Sequence, residues 1–270
     1  MRLGLSSYTY GWAVGTRRHP PARPLDELGL LDLCREHGLK LLQVGDNLPL
    51  HNFDSGRLAR FLDRAKADGV KLEVGARRLT VDRVAMYVAL ARQAGARLLR
   101  FVIDDTGYEP TPAEVIAVLR ETAPLLDGLT LGLENHDRFP ARILREIVEA
   151  IGDEHLGICL DTANSMGAGE GLETVLRELG PHTVNLHLKD FRIRRVHHLM
   201  GFTVEGRPTG SGALDIPALL AELRPFGRCT TAVLELWTPP EPDPEATIAK
   251  EAAWARQSLE FLKPLFARFP

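Results

Sequence analysis

Short apolar runs alternate with longer runs in which apolar residues recur at helical spacing, and this rhythm extends along the whole chain of 270 residues. Residues typical of helix ends punctuate it. Gly38 ends the first long amphipathic run, whereas Thr111 and Pro112 open the fourth as an N-cap and a first-turn proline. The pattern therefore predicts a regular succession of strands and helices.

The individual elements follow from that pattern. The predicted strands are Arg2–Ser7, Leu39–Val44, Val70–Val74, Arg97–Ile103, Leu129–Leu133, Leu156–Leu160, Thr183–Leu188 and Thr231–Leu236. The predicted helices are Pro24–His37, Leu58–Ala67, Val81–Gln93, Thr111–Leu126, Ala141–Ile151, Leu172–Leu179, Asp215–Leu223 and Glu245–Phe266.

Strict alternation of strand and helix implies parallel strands joined by helical crossovers, and eight such units suffice to close a barrel. An open doubly wound sheet is the alternative. It would more often carry a glycine-rich phosphate fingerprint after its first strand, where this chain has SSYTYGW. We therefore expect an α/β fold, a (β/α)8 TIM barrel, as a single domain over residues 1–270.

One connection departs from the rhythm. The stretch Asp190–Leu214, between the seventh strand and the seventh helix, is too long for a plain loop. We interpret this extended loop after strand 7 as an inserted hairpin or a lid over the barrel mouth, the end at which the carboxyl ends of the strands meet.

Composition narrows the function classes. The formal net charge is -3 and no basic block stands out, which argues against a nucleic-acid partner. The three cysteines, Cys34, Cys159 and Cys229, are far apart and form no CxxC pair, so neither a disulfide framework nor a thiolate zinc site is expected. The N-terminus lacks a long apolar run and no stretch approaches the length of a membrane span. We expect a cytoplasmic protein without a membrane partner.

Four consecutive predicted strands end in a side chain that is able to bind a metal. These are Glu134, Asp161, His187 and Glu235; the first three are 27 and 26 residues apart, about one βα unit each, and the last gap of 48 contains the insert. Three converging carboxylates would repel one another without a cation. The set predicts one divalent ion, with Mn²⁺ favoured and Mg²⁺, Co²⁺ or Zn²⁺ possible. The alternative is a separate ion pair at each strand end.

The runs LENH, LDTANS, LHLKDF and LEL, together with PTGSGALDIPALL, resemble the xylose isomerase-like TIM barrel superfamily, the sugar phosphate isomerase/epimerase family. In its ketose 3-epimerases the residues that match Glu134, Asp161, His187 and Glu235 bind one divalent metal. The resemblance implies that the two glutamates are catalytic and exchange the substrate proton on opposite faces of the carbon. Asn164 stands where those epimerases usually have a histidine.

Epimerisation beside a carbonyl needs a base and an acid, and a metal on the carbonyl oxygen stabilises the enediolate. We therefore expect a metal-dependent isomerase or epimerase of a sugar, keto-sugar or cyclitol. A dehydratase of an inosose- or dehydroshikimate-like substrate begins with the same proton removal and is the main alternative. An endonuclease IV-like nuclease needs a three-zinc cluster with extra histidines and is less expected, as is a non-catalytic binding barrel.

Other side chains near the strand ends are candidates for binding a small carbohydrate substrate. The predicted set is Tyr8, Arg100, His136, Asn164, Lys189, Arg192 and Trp237. Arg77 and Arg100 end two strands, where an arginine is suited to a carboxylate or phosphate. Gly210 and Gly212 form either a phosphate cradle or a tight turn. The families that the chain resembles are often dimers or tetramers, which makes a homo-oligomer possible.

Overall fold

The computed structural model describes residues 1–15 and 19–268. Its strands are β1 Arg2–Ser6, β2 Leu41–Val44, β3 Lys71–Arg77, β4 Leu98–Val102, β5 Thr130–Glu134, β6 Leu156–Asp161, β7 Thr183–Leu188, β8 Asp190–Arg195, β9 Phe202–Arg207 and β10 Thr231–Leu234. Its α-helices are α1 Gly11–Val14, α2 Glu27–Glu36, α3 Ser55–Ala67, α4 Val81–Gln93, α5 Pro112–Thr122, α6 Ala141–Ile151, α7 Leu172–Leu179, α8 Ile216–Leu223 and α9 Pro244–Phe266.

Eight parallel strands close into a barrel in the order β1, β10, β7, β6, β5, β4, β3, β2. The ring closes at β1, where Leu5 pairs with Leu234 on one side and with Leu42 on the other. Helices lie between successive strands and cover the outside of the sheet, so strands such as β6 and β7 are buried along their whole length. The predicted TIM barrel is confirmed.

Two local differences from the predicted elements affect the barrel mouth. The one-turn helix α1 follows β1 and was not predicted, because four residues are too few to show a helical period. Strand β10 ends at Leu234, so Glu235 lies just beyond it instead of inside it. The N–H of Glu235 still donates to Leu188 O at 3.0 Å, which keeps its side chain at the mouth.

The insert is an antiparallel hairpin of β8 and β9, with pairs running from Asp190 and Arg207 to Arg195 and Phe202. The buried Asp190 carboxylate fixes its base by accepting the N–H groups of Gly210, Gly212 and Leu214 at 2.9, 2.9 and 3.2 Å. The hairpin form of the insert is confirmed, and its action as a lid stays a prediction.

Within the described residues, every helix is too short or too polar to cross a membrane.

Candidate metal centre

Neighbouring strands bring the four predicted ligands together. Glu134 and Asp161 end β5 and β6, His187 lies on β7 beside Asp161 in register, and Glu235 follows β10. All four side chains are at most 2% exposed. Each directly ends or follows a leucine-rich strand whose burial fixes the backbone, so the apolar barrel determines where these polar groups lie.

The distances between His187 Nδ1 and the carboxylate oxygens are longer than usual hydrogen bonds and leave room for an ion. His187 Nδ1 lies 3.4 Å from Glu235 Oε1, 3.7 Å from Glu134 Oε2 and 3.9 Å from Asp161 Oδ2. One ligand atom each from Asp161, His187 and Glu235 lie within 4.8 Å of one another. An ion about 2.0–2.2 Å from each atom fits such spacings.

Unsatisfied atoms point to the same place. His187 Nδ1, Glu134 Oε2 and Asp161 Oδ2 are buried and make no hydrogen bond, although the two carboxylate oxygens form ion pairs. A buried polar atom without a hydrogen bond is unfavourable and calls for an explanation. Three carboxylates and one imidazole suit Mn²⁺, Mg²⁺, Co²⁺ or Zn²⁺, so the residues present fit the predicted ion.

A network inside the barrel sets the tautomer of His187. The amide nitrogen of Gln43 donates to Glu73 Oε2 at 3.0 Å and to Asn185 Oδ1 at 3.1 Å. The amide oxygen of Gln43 therefore faces His187 Nε2, at 2.7 Å. Because that oxygen only accepts, Nε2 carries the proton and Nδ1 presents its lone pair to the carboxylates.

Two buried cations lie against the carboxylates. Lys189 Nζ is 2.7 Å from Asp161 Oδ2 and 3.0 Å from Glu235 Oε2. Arg100 pairs through Nε with Glu134. Burial alone would raise the pKa of Glu235, but the charges of Lys189 and Arg100 and the hydrogen bond from Ser6 outweigh burial and lower that pKa. Glu235 is thus held as a carboxylate, and Glu134 is paired with the Arg100 guanidinium.

Three further residues shape the centre, and sequence reasoning missed them. Ser6 Oγ donates to Glu235 Oε1 at 2.7 Å. Gln43 orients His187, as described above. Asp46 accepts from Arg100 Nη1 at 2.7 Å and from the Tyr8 hydroxyl at 3.0 Å. The sequence gives Ser6 and Gln43 a weak signal as polar residues in apolar strands, whereas Asp46 lies in a loop with no such marker.

Several predicted substrate-binding residues lie at this centre. Asn164 Nδ2 donates to Glu134 Oε1 at 2.8 Å and Asn164 Oδ1 accepts from Lys189 Nζ at 3.4 Å, so this amide bridges a ligand and a cation. Lys189 Nζ also lies 5.6 Å from the Trp237 ring centre. Tyr8 lines a cavity of about 620 Å³ on the β1–β4 side of the mouth, and none of the four ligands is among the lining residues.

Other candidates lie elsewhere. Arg192 is exposed on β8, and His136 pairs with the exposed Asp137 at 2.5 Å. Neither is among the residues that line the cavity. The N–H groups of Gly210 and Gly212 are taken by Asp190, which leaves the tight turn as the explanation for these glycines.

Comparison with known proteins places the chain in a family. The family model of the xylose isomerase-like TIM barrel matches residues 11–265. The chain belongs to this family. It is 33% identical over 264 residues to a 3-oxo-isoapionate decarboxylase from Pectobacterium atrosepticum, covering 97% of this chain and 95% of that protein. The resemblance stated from the sequence motifs is confirmed.

Solved structures agree on the fold. A D-psicose 3-epimerase with D-tagatose from Clostridium cellulolyticum H10 gives a TM-score of 0.71 at 14% identity, covering 100% of this chain and 99% of that one. A xylose isomerase-like TIM barrel protein from Mycobacterium smegmatis in complex with magnesium gives 0.70 at 12% identity, covering 96% and 97%. The relatives are thus enzymes of small carbohydrates, and one similar barrel holds a divalent ion.

Proposed function

We propose that this protein is a divalent-metal-dependent enzyme that decarboxylates a 3-oxo sugar acid. The observation that carries the proposal is the pairing of both glutamates with buried cations, Glu134 with Arg100 and Glu235 with Lys189. A carboxylate held in this way is a weak base. Loss of carbon dioxide from a 3-oxo acid needs no base, whereas epimerisation does.

The relative from Pectobacterium atrosepticum supports the choice of reaction, because its name describes a decarboxylase and its similarity covers 97% of this chain. In a 3-oxo acid the carbonyl lies two carbons from the carboxylate. The bond between C1 and C2 breaks, carbon dioxide leaves, and the electron pair passes into the C2–C3 enolate. One proton then returns to C2, so the reaction consumes one proton.

The four ligands Glu134, Asp161, His187 and Glu235 would hold the ion, with Mn²⁺ proposed first. A bound ion would supply Lewis-acid polarisation of the substrate carbonyl, which lowers the free energy of the developing enolate charge. Side chains around the ligands hold them in position. Gln43 keeps the His187 Nδ1 lone pair free, and Asn164 and Ser6 fix the two glutamates by hydrogen bonds of 2.8 and 2.7 Å.

Lys189 is the proton donor in this proposal. Its ammonium lies between Asp161 and Glu235 and its side chain is 9% exposed, so it is close to the ligands and mostly shielded from water. Burial lowers the pKa of Lys189, but the charges of Asp161 and Glu235 outweigh burial and raise it, so Lys189 carries the proton that the reaction consumes.

An isomerase or epimerase of a sugar, keto-sugar or cyclitol is the second candidate. It is favoured by the placement of Glu134 and Glu235, which approach His187 Nδ1 from different strands at 3.7 and 3.4 Å. Two carboxylates around one bound carbonyl would serve as acid and base. Assembly into a homo-oligomer remains a prediction in either case.

The experiment that separates the two uses Mg²⁺-loaded protein in D₂O with 3-oxo-isoapionate and, separately, with a panel of ketoses. Decarboxylation releases carbon dioxide and places one deuterium on the product carbon that was C2 of the substrate. Two controls should be inactive: the protein from which a chelator has removed the metal, and the Glu235→Gln variant. Exchange with formation of a diastereomer from a ketose, without release of carbon dioxide from the sugar acid, would replace decarboxylation by epimerisation.

A further inference from the structure

The cavity on the β1–β4 side of the mouth is lined by two arginines that the proposed chemistry does not use. Arg77 ends β3 and Arg83 lies in the first turn of α4, and both line the cavity together with His51. Arginine is permanently charged and presents its N–H groups in a fork that matches an oxyanion. What these side chains already contact decides whether the fork is free.

Arg83 is oriented but not neutralised. Its Nη1 donates to His51 Nε2 at 2.9 Å, and His51 Nδ1 lies 2.7 Å from the Tyr87 hydroxyl. Because a guanidinium only donates, His51 accepts with Nε2 and is neutral; burial and then the Arg83 charge lower its pKa. In residues 1–15 and 19–268, no carboxylate lies within 4 Å of the Arg83 guanidinium.

Arg77 is only partly neutralised. Its Nε is buried, makes no hydrogen bond, and lies 3.7 Å from Asp46 Oδ2. Asp46 is already engaged by Arg100 at 2.7 Å and by the Tyr8 hydroxyl at 3.0 Å. The Arg77 side chain is 36% exposed, so donors of this residue remain open to the cavity.

The net formal charge of the described side chains at the mouth indicates how much negative charge a bound ligand can carry. Among residues 1–15 and 19–268, the carboxylates and permanent cations that form the ligand set, pair with it or line the cavity number five and four: Asp46, Asp105, Glu134, Asp161 and Glu235 against Arg77, Arg83, Arg100 and Lys189. A divalent ion turns this deficit of one into an excess of one positive charge. One carboxylate offsets that excess, and a phosphate dianion exceeds it.

We propose that Arg77 and Arg83 form an anion subsite that binds the carboxylate of the substrate, so that the substrate is a sugar acid and not a neutral ketose. This inference rests on the proposed function of the mouth as a substrate site. Asp46 contacts both Arg77 and Arg100, and Arg100 contacts Glu134. Two side chains, Asp46 and Arg100, thus connect Arg77 to the ligand Glu134.

The test measures binding without turnover. D-gluconate, a sugar acid without a ketone, and sorbitol, a neutral polyol of the same chain length, are titrated into Mg²⁺-loaded protein labelled with ¹⁵N-arginine. Gluconate should shift the Nε–H resonance of Arg77 saturably and sorbitol should not. Loss of one charge-assisted contact in Arg83→Gln should weaken gluconate binding about tenfold, and Arg83→Lys should restore part of it.

The matched control is Arg60→Gln, which removes an exposed arginine from α3 outside the cavity and should leave gluconate binding unchanged. Equal binding of gluconate by Arg83→Gln, Arg77→Gln and the unaltered protein would overturn the subsite. Inorganic phosphate that binds more tightly than gluconate at the same arginines would overturn the assignment to a carboxylate.

Kinetics separate this inference from the function on which it rests. If 3-oxo-isoapionate is decarboxylated, the arginine variants should raise KM about tenfold with a smaller change in kcat. Decarboxylation with an unchanged KM in both variants would rule out the anion subsite but not the decarboxylase function. If gluconate binding depends on the arginines but the protein decarboxylates no 3-oxo acid, the anion subsite stands and the decarboxylase function is ruled out.

Discussion

The two halves of the barrel mouth are built in different ways. The half formed by β5, β6, β7 and β10 carries the four ligands directly at the ends of buried strands, and each ligand is at most 2% exposed. The half formed by β1 to β4 surrounds an open cavity with groups from strand ends, loops and helix starts, among them Asp46, His51 and Arg83. Rigid strands fix the first half, whereas side-chain contacts fix the second.

This difference separates chemistry from recognition. A metal centre requires ligand atoms placed within tenths of an ångström, and closely packed strands provide that precision. A substrate subsite tolerates variation, and loops on a rigid scaffold supply it. Changes in the strand half should therefore affect kcat and metal binding, and changes in the cavity half should affect KM.

The largest effect is expected for Glu235→Gln. The amide keeps the volume of the side chain but removes one anionic ligand and a partner of Lys189. We expect kcat to fall by on the order of 10³, because a metal contributes several kcal/mol to the stabilisation of developing charge. Steady-state kinetics test this, with circular dichroism to verify the fold. A kcat within threefold of the unaltered protein would remove Glu235 from the catalytic group.

A smaller effect is expected below the centre. Gln43→Leu removes the acceptor that fixes the His187 tautomer and the amide donor to Glu73 Oε2 and Asn185 Oδ1. Loss of such a supporting contact typically weakens metal affinity 10–100-fold. Metal titration by calorimetry measures it, with the exposed Gln93→Leu on α4 as a matched control. Unaltered affinity in Gln43→Leu would mean that the tautomer is fixed by other contacts.

The contrast between the two halves of the mouth also explains which site residues could be predicted from the sequence. Glu134, Asp161 and His187 each end or nearly end an apolar run, so one-dimensional pattern and barrel topology together suffice to bring them together. Asp46 and Arg83 meet only through folding: Asp46 reaches Arg100 across 54 residues, and Arg83 reaches His51 across 32. Such contacts leave no periodic signal in a single sequence.

Lys189 and Asp190 show a further limit. The sequence places both at the end of β7, but their side chains serve different purposes: Lys189 pairs with two ligands, and Asp190 turns away to fix the hairpin base. Alternation along a strand predicts opposite directions for neighbours. It does not predict that the amide groups of Gly210 and Gly212 meet a carboxylate from the same chain in place of a phosphate.

The base of the hairpin provides a stability test that leaves both halves of the mouth in place. Asp190→Ala deprives the N–H groups of Gly210, Gly212 and Leu214 of their acceptor. We expect a decrease in the free energy of unfolding of about 3 kcal/mol, measured by urea denaturation. Asp215→Ala, which removes the N-cap of α8, is the control and should cost about 1 kcal/mol. Equal losses would contradict the anchoring role of Asp190.

A pH effect distinguishes the cavity side. The buried carboxylate of Glu251 on α9 accepts the N–H groups of Trp12 and Ala13 at 2.9 and 3.1 Å and so holds α1, whose Val14 lines the cavity. Burial raises the pKa of Glu251 from 4.5 to about 7, against the effect of these hydrogen bonds. The folded state thus binds this proton more tightly than the unfolded state, and stability from this group falls as pH rises from about 4.5 to 7.

Glu251→Gln should remove that dependence. Relative to the unaltered protein, the free energy of unfolding of the variant should increase between pH 5 and pH 7.5, by at most about 3 kcal/mol. Urea midpoints at the two pH values measure the change, with the exposed Glu260→Gln on the same helix as control. A difference between variant and unaltered protein that stays constant with pH would show that Glu251 is ionised throughout this range.

Crystals grown with Mn²⁺ would show whether Glu134, Asp161, His187 and Glu235 bind one divalent ion. An anomalous-difference map recorded near the manganese edge should contain one strong peak about 2.0–2.3 Å from an atom of each of the four side chains, with His187 contributing Nδ1. His187→Ala should lose most of that peak. A peak that lies away from these four residues, or a map without a peak at saturating Mn²⁺, would show that the four side chains do not form the metal site.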